Sequence, residues 1–282
     1  MIGRPRPRFG ALRLVRDDQA GAARLLYRMI GVADPAHYLH FLFFKDALDR
    51  FAPASPKAIL DAGSERGDFT VYLAQRYPDA KVVGIDINPA HVDGAIRNTR
   101  KLGLANVEYR LEDLCRLEDV SAYDLVISID TLEHIPAQDD VLRRLRRSLR
   151  PGGVAFFHLP TARTTPSPLT RWLEDFHRWS EGEHLAKERS AEEFVRAVET
   201  AGFDVVKRRS TFGYFAGELA TSLFAIPYRD TPANRLLQAL LSPICRLLAL
   251  ADPWYPGRTR FAVAVVARAP HGEDADRGPA PS

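Results

Sequence analysis

Sulfur is scarce in this chain: two cysteines and two methionines in 282 residues. Cys115 and Cys245 lie far apart and match no metal-ligand or redox spacing, so a disulfide framework and a cysteine metal centre are excluded. Free thiols in a chain of this size point to a reducing, cytoplasmic compartment. Long apolar runs are also missing. No segment offers about 18 uncharged apolar residues, which argues against a membrane span. Nor is there a strong excess of one charge: 39 Lys and Arg face 36 Asp and Glu, a formal net charge of +3, evenly spread. That balance gives no reason to expect a nucleic-acid partner, and no cluster with metal-ligand spacing stands out.

What remains is the composition of a soluble globular protein, 46% hydrophobic and 27% charged. The length suits one large domain, or one domain with a cap. The opening MIGRPRPRFGALRLVR carries five arginines and no apolar stretch long enough for a secretory signal. It reads as a mobile basic tail, with contact to an anionic surface as the sharper alternative. With the helices after it, the tail makes a first region, residues 1–53. The main domain is expected over 54–269, and the Pro- and Gly-rich end, 270–282, reads as disordered.

Two helices are expected between Asp17 and Phe51. Asp34-Pro35 separates them, as an N-cap followed by proline at the first helical position. After Pro53-Ala54-Ser55-Pro56 the pattern changes to alternating strands and helices. Strands are predicted at Ala58–Asp61, Lys81–Asp86, Val107–Arg110, Tyr123–Ile129, Val154–Leu159, Phe203–Lys207 and Arg260–Ala267. Helices are predicted at Asp68–Tyr77, Pro89–Leu102, Asp139–Leu149 and Ser190–Ala201, the last with Ser190 and Glu193 at the spacing of a capping box. Apolar strands alternating with helices mean an α/β, doubly wound and mostly parallel sheet covered on both faces. Two stretches break the rhythm. The insertions at 160–189 and 211–259 exceed ordinary connections and are expected to serve as lids or binding elements.

The chemistry gathers where strands end. In AILDAGSERGDFT an apolar strand closes on Asp61 and breaks into a turn with Gly63 and Gly67. Glycine allows a positive φ and lets a ligand approach the backbone, although a tight strand-to-helix turn needs the same residues. Asp86 ends the next strand in VVGIDINP, where a carboxylate can accept from a ribose diol; a helix cap before Pro89 is the alternative. Asp113 follows the third strand in RLEDLC, beside apolar Leu114. The fourth ends in SIDTLEHI, which places Asp130, Glu133 and His134 at the same edge.

The series LDAGSERGDF, GIDINP, LEDLC, YDLVISIDTLEHI and LRPGGVAFFHLP resembles the class I S-adenosylmethionine-dependent methyltransferases in order and spacing. The resemblance covers roughly Ser55 to Pro160 with the closing helix and two strands. It implies a seven-stranded sheet with an antiparallel last strand, and S-adenosyl-L-methionine as cofactor. Asp61, Ala62, Gly63 and Gly67 would border the methionine part, Asp86 and Ile87 the ribose, Asp113 and Leu114 the adenine, and Ile129 and Asp130 the sulfonium side. The chain departs from the family at Glu65, which stands where the turn usually carries a further glycine. That departure motivates a competing expectation, a non-catalytic binding protein with this fold. A nicotinamide-dependent dehydrogenase is the other competitor, disfavoured because Asp61, LEHI and RPGG have no place in it.

A methyl acceptor with a hydroxyl would benefit from a base. The candidates are His134, His158 in FFHLP and His184 in the first insertion. Trp172, Phe176, His177 and Trp179 offer an aromatic cover there, or simple packing against the sheet. The expected acceptor is a small or medium-sized molecule, methylated at oxygen, or next at nitrogen. Residues 232–250 carry leucines at helical spacing around Pro243, as a helical hairpin. Packing on its own domain, homodimerisation and peripheral membrane contact are its three alternatives.

Overall fold

The computed structural model describes residues 7, 9–15, 25, 35–161, 189–213, 237, 240, 241, 243, 244, 247, 248, 250, 251 and 262–271. His184 and the aromatic residues proposed as a cover in the first insertion lie outside them. Seven strands form one sheet: β1 (Ala58–Ala62), β2 (Lys81–Asp86), β3 (Val107–Leu111), β4 (Tyr123–Ile129), β5 (Leu149–Pro160), β6 (Asp204–Thr211) and β7 (Ala262–Arg268). Their order is β3-β2-β1-β4-β5-β7-β6. β7 enters antiparallel between β5 and β6, and the other pairings are parallel. The strand order reverses at β1 and β4, so their carboxyl ends flank a crevice where ligands of such sheets bind.

Neighbouring strand residues point to opposite faces, and both faces are covered. Leu60, Ile85, Val126 and Phe157 pack with Val141 and Leu145 of α4 (Gln138–Ser148) and Phe194 and Val198 of α5 (Ala191–Thr200). On the other face Ile59, Val82, Ile127 and Phe156 meet Phe44 and Leu48 of α1 (Pro35–Phe51) and Phe69 and Leu73 of α2 (Asp68–Arg76). One more helix, α3 (Pro89–Lys101), is capped by Asn88, whose side chain accepts from Ala90 N–H at 2.9 Å. α5 has the expected capping box: Glu193 N–H donates to Ser190 Oγ, and Ser190 N–H to the Glu193 carboxylate.

Three expectations need correction. Residues 9–12 are no free tail. Phe9 stacks on Phe41 with ring centres 4.3 Å apart, and Leu12 is 1% exposed in a cluster with Val71, because a phenylalanine and a leucine among the arginines find an apolar floor on α1 and α2. The Pro151-Gly152-Gly153 segment does not simply precede β5 but lies within it. Tyr123 pairs with Leu149 and Leu125 already with Val154, so the extra residues form a bulge that Gly152 accommodates at φ 77°. β6 runs on to Thr211 beyond the apolar residues; as an edge strand it can expose Lys207, Arg208 and Arg209. In the second insertion, Leu237, Leu240, Ile244, Leu247 and Leu250 are helical and exposed, and Pro243 is itself helical. No described helix is long and apolar enough to cross a membrane.

The arginines of α4 do more than face solvent. Arg144 donates to Leu117 O at 2.9 Å and Arg146 to Gly202 O at 2.8 Å. At the amino end of the sheet, Arg150 donates to Asp124 Oδ1 at 2.7 Å, while Asp124 Oδ2 accepts from the N–H groups of Lys57 and Ala58 at 2.6 and 3.0 Å. This one carboxylate joins β1, β4 and the start of β5. Its loss leaves two backbone donors and a guanidinium without their partner, so Asp124→Ala should lower unfolding free energy by about 2 kcal/mol in urea titrations. A loss below roughly 0.5 kcal/mol would show that water replaces the carboxylate there.

Candidate functional site

The crevice at the carboxyl ends of β1 and β2 is organised by two acids. Gly63 and Ser64 donate their N–H groups to Ile85 O at 2.9 and 2.8 Å, which brings the turn after β1 over the end of β2. Asp86 then holds both adjoining turns. Its Oδ2 accepts from Glu65 N–H and its Oδ1 from Asn88 N–H, each at 2.8 Å, and His91 Nδ1 lies 3.4 Å away. The helix cap is Asn88, so Asp86 is not spent on capping. With four lone-pair directions on its carboxylate, Asp86 keeps acceptor capacity toward solvent.

Asp61 is 3% exposed, and its Oδ2 accepts from Thr70 Oγ1 at 2.6 Å. Burial pushes its carboxyl up to about 7; the Thr70 bonds work against the rise and the charge of Asp86 adds to it. Gly63 and Gly67, next to it, have φ of 86° and 88°. Their lack of a side chain is demanded by the protein itself: a Cβ on Gly63 would collide with Thr131, and one on Gly67 with the Tyr109 hydroxyl. Glu65 shares the left-handed conformation at φ 45°. Its side chain is half exposed, with Arg66 Nε 3.6 Å from its carboxylate, while its backbone N–H serves Asp86. The residue that departs from the expected glycine pattern therefore turns its bulk outward and keeps the backbone contact.

The acid after β3 takes a local part. Asp113 Oδ1 accepts from Cys115 N–H at 2.9 Å and caps a short 3-10 turn, Leu114–Arg116. Leu114, expected beside a bound adenine, turns its side chain inward in this arrangement. Leu114 is 5% exposed and packs in the core with Leu117 and Leu132, because the capped turn rolls it inward. The apolar side chains exposed at this edge are Ile87, at 69%, and Leu111, at 59%, whose backbone pairs with Asp86. Sequence reasoning passed over Leu111, although it is the last apolar residue of its strand.

The fourth strand ends in a cluster of polar groups. Asp130 has φ 48° and donates its N–H to His158 O at 2.9 Å. Its Oδ1 lies 2.7 Å from His158 Nδ1 and its Oδ2 2.9 Å from His40 Nε2. A carboxylate only accepts, so both imidazoles donate to it. Burial works to raise the Asp130 carboxyl, but His40 and His158 outweigh it and hold the group well below the usual carboxylate range. Burial and the neighbouring Asp130 push Glu133 well above its ordinary value.

His158, one of the three candidate bases, has both ring nitrogens engaged. It is 2% exposed, Nδ1 is engaged by Asp130, and Nε2 lies 3.0 Å from Thr211 Oγ1. With both nitrogens bonded in the interior, it orients Asp130 and cannot reach an acceptor directly. His134 is on a 3-10 turn, 40% exposed, with Nε2 3.9 Å from Glu133 Oε1. His40 had not been anticipated. Its ring stacks edge-on over His158 at 4.5 Å and against Phe212 at 4.7 Å. The sole signal in the sequence was a histidine within an aromatic helix face, which packing alone would also explain. Ile129 pairs with His158 across β4 and β5, and Ala62 is fully buried at the end of β1. A separate polar cleft between α4 and α5, lined by Asp139, Arg143, Arg189, Glu193 and Arg196, shares no residue with these groups and is bridged by Arg189 and Asp139 at 2.8 Å.

A family profile described as a methyltransferase domain matches residues 36–208, more than half of the chain. Among curated relatives, trans-aconitate 2-methyltransferase of Methylobacterium nodulans is 32% identical over 139 residues, covering 48% of this chain and 52% of its own length. The chain thus spans about half the length of the curated relatives it matches. Of solved structures, phosphoethanolamine N-methyltransferase 2 of Haemonchus contortus in complex with S-adenosyl-L-methionine has a TM-score of 0.62 at 19% identity, over 90% of this chain and 61% of that one. The [4+2]-cyclase SpnF has 0.56 at 20% identity, over 82% and 81%. Likeness at such identity shows the shared fold alone.

Three outcomes follow from the glycine turn and its acid. Gly67→Ala should lower the melting temperature, since it adds both left-handed strain and a collision with Tyr109. Glu65→Gly, which relieves a positive φ without removing the N–H to Asp86, should stay within about 1 kcal/mol of wild type. A large loss in Glu65→Gly would mean that its side chain, and not its backbone, holds the turn. Asp61 binds a proton more tightly when folded than unfolded, so stability from this group is full below pH 4 or so and falls as pH rises to about 7. Asp61→Asn should flatten the stability profile across that window; a profile as steep as wild type would assign the slope to other groups.

Proposed function

The chain belongs to the methyltransferase-domain family of class I S-adenosylmethionine-dependent enzymes, and on that premise we propose that it methylates an oxygen of a small or medium-sized acceptor in a biosynthetic reaction. Nitrogen is the second choice of acceptor atom. The observation that carries the proposal is Asp86: a carboxylate at the carboxyl end of β2, held by two backbone N–H groups with acceptor capacity to spare, and flanked by exposed Ile87 and Leu111. A hydrogen-bonding acid beside an apolar edge suits a ribose joined to a flat base.

When bound, S-adenosylmethionine supplies a methyl group already activated on a sulfonium. This chain's residues then have to bind, align and keep out water. Asp86 is the residue for the ribose hydroxyls, with Ile87 and Leu111 as apolar walls. Asp61, buried beside the glycine turn, is the acceptor for the cofactor's ammonium, whose charge would favour the ionised carboxylate, and Thr70 fixes its orientation. Asp130 and Ile129 border the reacting end, where His40 and His158 keep Asp130 ionised and in place. His134 stands at the same strand end and is the accessible candidate base of the histidines proposed from sequence within the described residues.

Oxygen is favoured by the relatives named for trans-aconitate, a carboxylate whose nucleophilic atoms are oxygens. A relative named for pavine N-methylation keeps nitrogen open. The motive for a non-catalytic binding protein was Glu65, whose half-exposed side chain and retained backbone contact to Asp86 weigh against that alternative.

Calorimetry with S-adenosylmethionine, S-adenosylhomocysteine and nicotinamide cofactors tests the proposal. Binding of the first two and not the third is expected, and no heat from either at roughly millimolar ligand would sink it. Asp86→Ala should weaken both by tenfold or more, as expected for losing a charged hydrogen-bond acceptor. Circular dichroism serves as a control for the fold, because the same carboxylate also ties two turns. Unchanged affinity in a folded variant would place the cofactor elsewhere.

A further inference from the structure

His40, Asp130 and His158 come from three separate elements, α1, the end of β4 and β5, yet converge on one point. One ligand atom from each, a ring nitrogen or a carboxylate oxygen, lies within 4.8 Å of the other two. The two histidines address different oxygens of Asp130, His158 Nδ1 at 2.7 Å from Oδ1 and His40 Nε2 at 2.9 Å from Oδ2. Ions bound at roughly 2.0–2.2 Å by imidazole and carboxylate place neighbouring ligand atoms about 3 Å apart. An ion entering the cluster would replace the protons now shared between each imidazole and the carboxylate, with the three ligand atoms already within 4.8 Å of one another.

Two further features go beyond proximity. Metal-bound histidines characteristically have the second ring nitrogen fixed by a hydrogen bond. His158 has that partner: Thr211 Oγ1, fully buried, stands 3.0 Å from Nε2. With a metal on Nδ1 the ring would carry its proton on Nε2 and donate it to that hydroxyl, so the orientation is prepared for either tautomer. Asp130, in turn, is aimed by a left-handed backbone, φ 48°, and by its N–H bond to His158 O. A conformation that non-glycine residues seldom adopt fixes this carboxylate between the two imidazoles.

We infer that His40, Asp130 and His158 form a binding site for one divalent transition-metal ion at the carboxyl end of β4. Two imidazoles and one carboxylate, without thiolate and without a cage of hard oxygens, favour zinc, iron, copper or nickel over magnesium, calcium and manganese. Three protein ligands leave coordination positions open. Binding of the ion stands on the cluster alone; its role rests on the methyl-transfer proposal above. In that role an acceptor oxygen, from a hydroxyl or carboxyl group, fills an open position and gives up its proton to water. One oxygen–carbon bond then forms as the sulfur–carbon bond breaks, leaving a neutral thioether. The substrate class becomes an oxygen donor able to ligate a metal, such as a hydroxy acid or polycarboxylate.

The full chain, stripped by chelator and dialysed, is titrated with Zn²⁺ by calorimetry and with Co²⁺ by visible absorption. One ion per chain and a cobalt spectrum of nitrogen and oxygen ligation are expected. His40→Gln and His158→Gln should each weaken Zn²⁺ at least tenfold, and diethylpyrocarbonate modification of His40 in the wild type, read by mass spectrometry, should be blocked by Zn²⁺. The last readout stands even if a variant fails to fold. Absence of stoichiometric binding, or unchanged modification of His40 with the ion present, overturns the site and leaves a proton-linked clamp. S-adenosylhomocysteine binding to the metal-free chain is measured in parallel. Its loss would count against the methyltransferase proposal, and its retention without metal binding against this one alone.

Discussion

A single carboxylate at the end of β2 sets the geometry on which the crevice depends. Asp86 takes the N–H of Glu65 on one side and that of Asn88 on the other. Those two bonds fix the turn that leads into α2 and the turn that leads into α3. Both helices then start at the carboxyl edge of the sheet. The glycines at 63 and 67 follow from this arrangement. Once the turn is drawn over β2, Thr131 and Tyr109 occupy the space that a Cβ would need.

The two ends of the sheet divide stability and chemistry between them. At the amino end, Asp124 gathers β1, β4 and β5 through two backbone donors and Arg150. The acid is fully employed there and serves cohesion. At the carboxyl end the acids are held but not exhausted, or are kept at unusual protonation. Asp61 is raised by burial, Glu133 by burial and its neighbour, and Asp130 is lowered by two imidazoles. Groups pushed apart in this way within one crevice are the expected mark of a functional site. The fold alone does not assign the chemistry, since the same architecture serves a [4+2]-cyclase as well as methyltransferases.

α1 is more than a cover. It buries Phe44 against Phe69 and Phe156, and the same helix carries His40 to Asp130. Phe9 and Leu12 press on α1 and α2 from outside. Residues 9–12 and α1 are thereby packed together, and His40 comes with them. Aromatic contacts are weakly directional compared with hydrogen bonds, so they hold α1 in place while the polar end of the site remains defined by His40 and Asp130.

The sequence by itself determined the alternation of strands and helices, because parallel strands buried on both faces must be apolar runs and helices must show a 3.6-residue period. It also determined that Asp61, Asp86, Asp113 and Asp130 stand at strand ends, since that is local order along the chain. Edge strand β6 ran past its apolar residues, and β5 absorbed Pro151 to Gly153 as a bulge; neither leaves a local signal, because hydrogen bonding to a neighbouring strand decides both. Only the tertiary structure decided which side chains meet. Leu114 turned into the core while Leu111 stayed out, His158 lost both nitrogens to Asp130 and Thr211, and His40 arrived from a helix 90 residues upstream of Asp130. Spacing along a chain records the period of one element. The convergence of three elements on one carboxylate is set by how they pack, and no single stretch of sequence contains it.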